Sequence, residues 1–227
     1  MLPLAPDEVE VTPFGLDSDS LMPLSEAVAC LSEVERERAA AFRFPTHRER
    51  YIRGRATMRH LLGRHLGMAP GLIELVTEER GKPHLRSGEL HFNLSHSEGS
   101  AVLAISQIPS IGIDIECFDR AIDVEGLSRR CFRPRERRRF AEMSEEEKQR
   151  AFFWTWTAKE ARMKATGEGF RLEPQRIEIA FAGEWPEYCL EPSTPLAYVR
   201  PVVLPGLAAA CTVAAMSPFE VRLRELV

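Results

Sequence analysis

Residues 101–116 read AVLAISQIPSIGIDIE, and the fold turns on them. Ala101 to Ser106 is an apolar run with β-branched members that stops before Pro109, as a strand should. Ile111 to Glu116 alternates instead. Ile111, Ile113 and Ile115 share one strand face, and Asp114 and Glu116 share the other, about 7 Å apart with no basic residue between them. Taken alone, those two acids could equally be the solvated face of an antiparallel strand.

Working outward, similar elements flank the junction in the same order. Upstream, Thr46 can cap a helix running through Leu66 to Gly67, and strands follow at Leu72 to Thr77, Leu90 to Leu94 and the 101–106 run. Downstream, Ser144 with Glu147 three residues on forms a capping box for a helix reaching Thr166 before Gly167. Strands then follow at Arg176 to Phe181, Leu196 to Val203 and Ala208 to Met216, the last stopping before Pro218 much as 101–106 stops before Pro109. The order predicts an α+β protein of two similar halves, 1–110 and 111–227, with a cleft between them for a site. A further helix is expected over Ser25 to Phe42.

The composition agrees with a folded, water-soluble chain: 227 residues, 44% hydrophobic, 28% charged, formal net charge -4. No apolar stretch approaches the roughly 18 residues of a membrane span. The first residues, lacking a basic region and a long apolar core, do not read as a secretory signal. Cys30, Cys117, Cys131, Cys189 and Cys211 contain no C-x-x-C pair, which fits neither a disulfide framework nor a structural zinc. The expected setting is cytoplasmic, without membrane or nucleic acid. Nine arginines against two acids between Arg36 and His65, and a second run from Arg129 to Arg139, raise the alternative of a nucleic-acid-binding module. The negative total counts against it, and so does the clustering of aromatics beside Glu160 rather than among the arginines.

Three patterns carry chemistry. Asp114 and Glu116 could embrace a hard divalent cation through oxygen. In Phe152 to Lys164, the residues Trp156, Glu160 and Lys164 follow i, i+4, i+8, so a carboxylate and an ammonium lie along an aromatic row; core packing with a surface ion pair is the plainer account. Arg80-Gly81-Lys82-Pro83 and Phe92-Asn93-Leu94-Ser95-His96-Ser97 supply a cation, hydroxyls and an imidazole in what reads as a turn and a compact loop, groups suited to phosphate. No G-x-x-x-x-G-K-[ST] loop or G-x-S-x-G elbow occurs. An acidic strand, a further carboxylate with an ammonium and a basic loop suit chemistry on a pyrophosphate, and a metal-dependent pyrophosphate hydrolase would use the same groups.

The set Arg80-Gly81-Lys82-Pro83, Phe92 to Ser97, Gly112-Ile113-Asp114-Ile115-Glu116 and Trp156 to Lys164 resembles, in order and spacing, the signature of the Sfp-type 4'-phosphopantetheinyl transferases. The resemblance implies a pseudo-dimer of two α+β halves with the active site in the cleft between them. It implies transfer of phosphopantetheine from coenzyme A to a serine of an acyl or peptidyl carrier protein, with release of adenosine 3',5'-bisphosphate. Asp114, Glu116 and Glu160 would then ligate Mg²⁺ or Mn²⁺, Glu160 would also serve as base, and Lys164 would hold a pyrophosphate oxygen. Arg80, Gly81, Lys82, Pro83, Asn93, Ser95 and His96 would grip the coenzyme, helped by Arg38 and Arg50 from the basic helices. The Arg129 to Arg139 run is the expected docking surface for an acidic carrier, and a monomer would suffice.

Overall fold

The computed structural model describes residues 4–19, 21–77, 81–140, 143–183, 185–190 and 197–226. Two strand triads form its frame. In the first, β1 (Glu8–Gly15) lies antiparallel to β5 (Ser100–Ser106), and β5 antiparallel to β4 (His91–Ser97). In the second, β6 (Gly112–Cys117) pairs with β10 (Ala209–Ala215), and β10 with β9 (Ala197–Pro201), again antiparallel. Each triad carries one 22-residue helix between its first strand and the rest: α3 (Pro45–Leu66) and α6 (Glu145–Thr166). The chain is thus the expected α+β pseudo-dimer.

The layers follow from the apolar pattern. Val9, Val11, Val102 and Ala104 of one sheet meet Ile113, Ile115, Cys211 and Val213 of the other in a shared core. Leu103, Ile105 and Phe92 on the opposite face of the first sheet pack on Met58, Leu61 and Leu62 of α3. Ala214 and Val199 on the far face of the second pack on Ala158, Ala161 and Met163 of α6. The order is helix, sheet, sheet, helix, so β5 and β10 are covered on both faces, which explains their unbroken apolar or small-residue sequences.

Shorter elements complete the chain. α1 (Leu24–Ala29) and α2 (Glu33–Ala40) precede α3, while β2 (Leu75–Thr77) and β3 (Pro83–Leu85) form a separate hairpin. α4 (Val124–Cys131) and α5 (Pro134–Phe140) lie between β6 and α6. β7 (Glu178–Ala182) and β8 (Trp185–Leu190) widen the second sheet, and β11 (Glu220–Leu223) returns to pair parallel with β1. Among the described residues no helix is long and apolar enough to cross a membrane.

The structure corrects several sequence expectations. The helix expected over 25–42 is two helices, because Ser32 starts α2 with a capping box to Glu35. Glu35 is also drawn inward to Arg55 and Arg59 of α3. Pro45, not a Thr46 cap, begins α3, its ring preset for the first helical position. The strand expected at 72–77 is shorter because Pro70–Leu72 is a turn of 3-10 helix. Strands β1, β3, β8 and β11 were not expected. β1 alternates as a strand should, but its inward acid Glu10 is buried against His65 and Arg224 rather than facing water. The first residue of the expected 196–203 strand lies outside the described residues.

Candidate active site

Gly112 fixes how closely the second triad meets its helix. A Cβ there would lie 2.1 Å from the carbonyl oxygen of Ala161 and 2.5 Å from the amide nitrogen of Ala165. Only a residue without a side chain lets strand and helix touch backbone to backbone. That contact carries Asp114 and Glu116 of β6 to the row Trp156, Glu160 and Lys164 of α6. The two groups line one open cleft of about 340 Å³, together with Leu94, Ser95 and His96 of β4. The acids of β6 therefore face α6 and the cleft, not an open solvated face.

The segment Asn93 to Ser97, expected as a loop, is strand β4, and its alternation explains its chemistry. Asn93, Ser95 and Ser97 point one way, toward the edge of β6. The Asn93 side-chain oxygen accepts from the Ile113 amide at 2.8 Å, and Ser97 Oγ accepts from the Cys117 amide at 3.2 Å. Side chains thus bridge the two triads where a strand ladder would otherwise run. With a lone pair of Ser97 engaged by that amide, its hydroxyl donates to Glu116 Oε2 at 3.0 Å. Ser95 donates to Asp114 Oδ1 at 2.9 Å and accepts from Lys164 at 2.9 Å. Lys164 Nζ also meets Asp114 Oδ1 at 2.6 Å.

Three carboxylates close to one ammonium leave an excess of negative charge. Burial raises the Glu160 carboxyl to about 7, with Asp114 adding to the rise and Lys164 opposing it. Burial, then Asp114, also raises Glu116, against the pull of Ser97 and Arg120. Burial lowers His96, and Lys164 lowers it further, so the imidazole favours its neutral form. As the side chains stand, no three His, Cys, Asp or Glu groups among the described residues converge on a shared metal position. The donor chemistry nevertheless fits a hard cation. Every candidate ligand is a carboxylate oxygen, and Asp114 Oδ2 is buried with no hydrogen-bond partner, an oxygen that a cation would satisfy.

The remaining expected site residues that the structure describes stand outside the lining of this cleft. Arg50 grips Asp17 with two bonds of 2.6 and 2.8 Å, and Arg38 lies over the Tyr51 ring. Gly81 turns the chain with φ +83°, Pro83 opens β3, and Arg80 lies outside the described residues. The ammonium of Lys82 donates to the carbonyls of Ile111 and Lys164, both at 2.8 Å, and of Ala165 at 3.3 Å. Sequence reasoning missed two supports of the site, Arg120, which pairs with Glu116 at 3.3 Å, and Ser97 in its role toward Glu116. The i, i+2, i+4 spacing of Asn93, Ser95 and Ser97 was the available signal for the latter.

Two family models match this chain: "4'-phosphopantetheinyl transferase, N-terminal" over residues 19–108 and "4'-phosphopantetheinyl transferase superfamily" over 110–200. The chain is 42% identical over 184 residues to 4'-phosphopantetheinyl transferase HetI of Nostoc sp., covering 79% of this chain and 76% of the relative. It is 30% identical over 155 residues to 4'-phosphopantetheinyl transferase Sfp of Bacillus subtilis, covering 63% and 68%. A 29% match over 167 residues to the mouse L-aminoadipate-semialdehyde dehydrogenase-phosphopantetheinyl transferase covers 67% of this chain and 53% of that protein.

Proposed function

Since the chain belongs to the 4'-phosphopantetheinyl transferase superfamily, we propose that its cleft moves phosphopantetheine from coenzyme A to a serine of an acyl or peptidyl carrier protein, releasing adenosine 3',5'-bisphosphate. The observation that carries the reading is the convergence of Asp114, Glu116, Glu160 and Lys164 on one cleft, which residues of β4 also line; we take the two halves that meet there as 1–110 and 111–227. Asp114, Glu116 and Glu160 would hold Mg²⁺ or Mn²⁺. Such an ion, when bound, neutralises charge on the pyrophosphate.

The chain's own groups divide the remaining work. Glu160, which lines the cleft beside Asp114 and Lys164, is placed to take the proton of the incoming serine hydroxyl. Lys164 stabilises the departing phosphate, exchanging part of its pairing with Asp114 for a phosphate oxygen. The serine oxygen attacks the phosphorus bearing the pantetheine arm, and the bond to the bridging oxygen breaks. The adenosine bisphosphate leaves with the electron pair. Ser95 and His96, with Arg50, Asn93 and the turn at Gly81 and Pro83, form the coenzyme's berth in this reading.

α4 packs near one wall of the cleft: Leu127 and Cys131 share an apolar cluster with Trp156. Arg133 and Arg139 are not available for docking, being held by Glu178 and the carbonyls of Gln175, Arg176 and Gly183. Arg130, Arg137 and Arg138 are exposed and, with Arg129 and Arg135, whose exposed guanidiniums also pair with Glu125 and Glu178, form the basic face offered to an acidic carrier. Both halves lie in one chain, so we place catalysis in a monomer. A cytoplasmic setting accords with Cys30, Cys117, Cys131 and Cys211 all being free thiols.

The test is the intact mass of an apo carrier after incubation with the protein, coenzyme A and Mg²⁺. A gain of one phosphopantetheine, absent with EDTA or with Asp114→Ala, is the expected result. Coenzyme A cleavage with no added mass on fatty-acid, polyketide or peptide carriers would replace transfer by hydrolysis.

A further inference from the structure

The turn bearing Lys82 belongs to the first half, yet its ammonium is engaged in the second. Among the described residues three carbonyls accept from this ammonium, which has three N–H bonds to offer. Two of them, Lys164 and Ala165, lie in the last turn of α6, where the dipole's negative end gathers, and the Lys164 carbonyl also accepts from the Gly167 amide at 3.2 Å. The third, Ile111, immediately precedes β6. Lys82 therefore clasps the end of α6 to the start of β6 at the point where Gly112 brings the two backbones together. Lys164 is held at both ends of its length: Lys82 fixes its carbonyl, and its own ammonium reaches Asp114 and Ser95.

We infer that Lys82 is a positioning residue, a staple between the halves that sets the register of Lys164 against Asp114, and not a ligand of the coenzyme's phosphates. The inference rests on the coenzyme A reading only for its kinetic consequence. The plain alternative, suggested by the sequence, is that the cation grips the 3'-phosphate. The two make opposite demands. A staple lowers turnover of every substrate when lost, because displacements of about 1 Å in a catalytic constellation cost on the order of 100-fold. A 3'-phosphate ligand affects only substrates that carry that phosphate.

The experiment compares coenzyme A with 3'-dephospho-coenzyme A as donors for the wild type and for Lys82→Met. We expect kcat to fall about tenfold or more with both donors, while the ratio of their kcat/KM values stays at the wild-type figure. Retained kcat with that ratio collapsing toward one would overturn the inference. A second measurement needs neither a variant nor turnover. The chain has four lysines, Lys82, Lys148, Lys159 and Lys164, so acetylation of the native wild type without coenzyme A can be followed site by site by peptide mass. Lys82 should react far more slowly than Lys148 and match it once the protein is unfolded. Rapid labelling of Lys82 that is suppressed only when coenzyme A is added would refute the staple. Absence of transfer by the wild type would count against the coenzyme A reading, and the labelling would still decide the role of Lys82.

Discussion

Replacing Gly112 by alanine tests the backbone contact on which the site depends. The added Cβ would sit 2.1 Å from the Ala161 oxygen and 2.5 Å from the Ala165 nitrogen, against the 3.4 Å at which ordinary contact begins. Both obstructing atoms are main chain in the last two turns of α6, so no side-chain rotation relieves them. The helix must retreat from β6 by about 1 Å, or the strand must bend away. Overpacking of this kind costs about 1–3 kcal/mol of stability. The same displacement separates Glu160 and Lys164 from Asp114, and should lower kcat on the order of 100-fold. Two assays follow the change: thermal or urea unfolding, and phosphopantetheine transfer measured at saturating coenzyme A and carrier. Because Gly112 has an ordinary φ, backbone strain is not an alternative source of the loss. A variant with wild-type stability and kcat within twofold of wild type would show that α6 and β6 are not held in this contact.

Other consequences are separately measurable. The Glu160 carboxyl sits near 7 when folded against an ordinary 4.5, so its contribution to stability is full below pH 4.5 and is lost as pH rises through 7. In EDTA, Glu160→Gln should gain stability relative to wild type between pH 5 and pH 8, on the order of 1 kcal/mol after allowance for its partial exposure; a pH-independent difference in unfolding free energy would contradict this. Lys159 and Glu136 form an ion pair with side chains 0% and 2% exposed, and the same ammonium meets the Pro174 and Ile177 carbonyls. Lys159→Met should cost about 3–5 kcal/mol in urea unfolding, whereas Arg129→Ala, at an exposed pair, should cost under about 1 kcal/mol. Charge reversal at Arg135 and Arg138 should raise the carrier KM about tenfold and spare that for coenzyme A; an unchanged carrier KM in steady-state kinetics would remove the docking face.

The legible parts of this protein were those encoded by local pattern. α6 runs from Ser144 to Gly167 as its capping box and left-handed glycine dictate, and residues 101–106 and 111–116 form the strands that their composition demands. The site was legible where spacing alone places side chains, as with Trp156, Glu160 and Lys164 on one helical row. Illegible were features created by pairing across the chain. β11 is a strand because β1 offers it an edge, and Glu10 is tolerated inside because Arg224, from the far end of the sequence, reaches it.

The same distinction accounts for Lys82. A lysine in a Gly-Lys-Pro turn can serve an anion or a set of carbonyls equally well, because both present oxygen to three N–H donors. What chooses between them is what lies opposite the turn, and here that is the last turn of a helix, where the Ala165 carbonyl and the Lys164 carbonyl, the latter also accepting from the Gly167 amide, present oxygen to the ammonium. A cation supplied by one half and seated on the terminal turn of the other makes the halves' relative placement a condition for the geometry of Lys164 and Asp114. Loosening the seam at Lys82 or Ser97 should therefore be felt in turnover before it is felt in the affinity for either substrate.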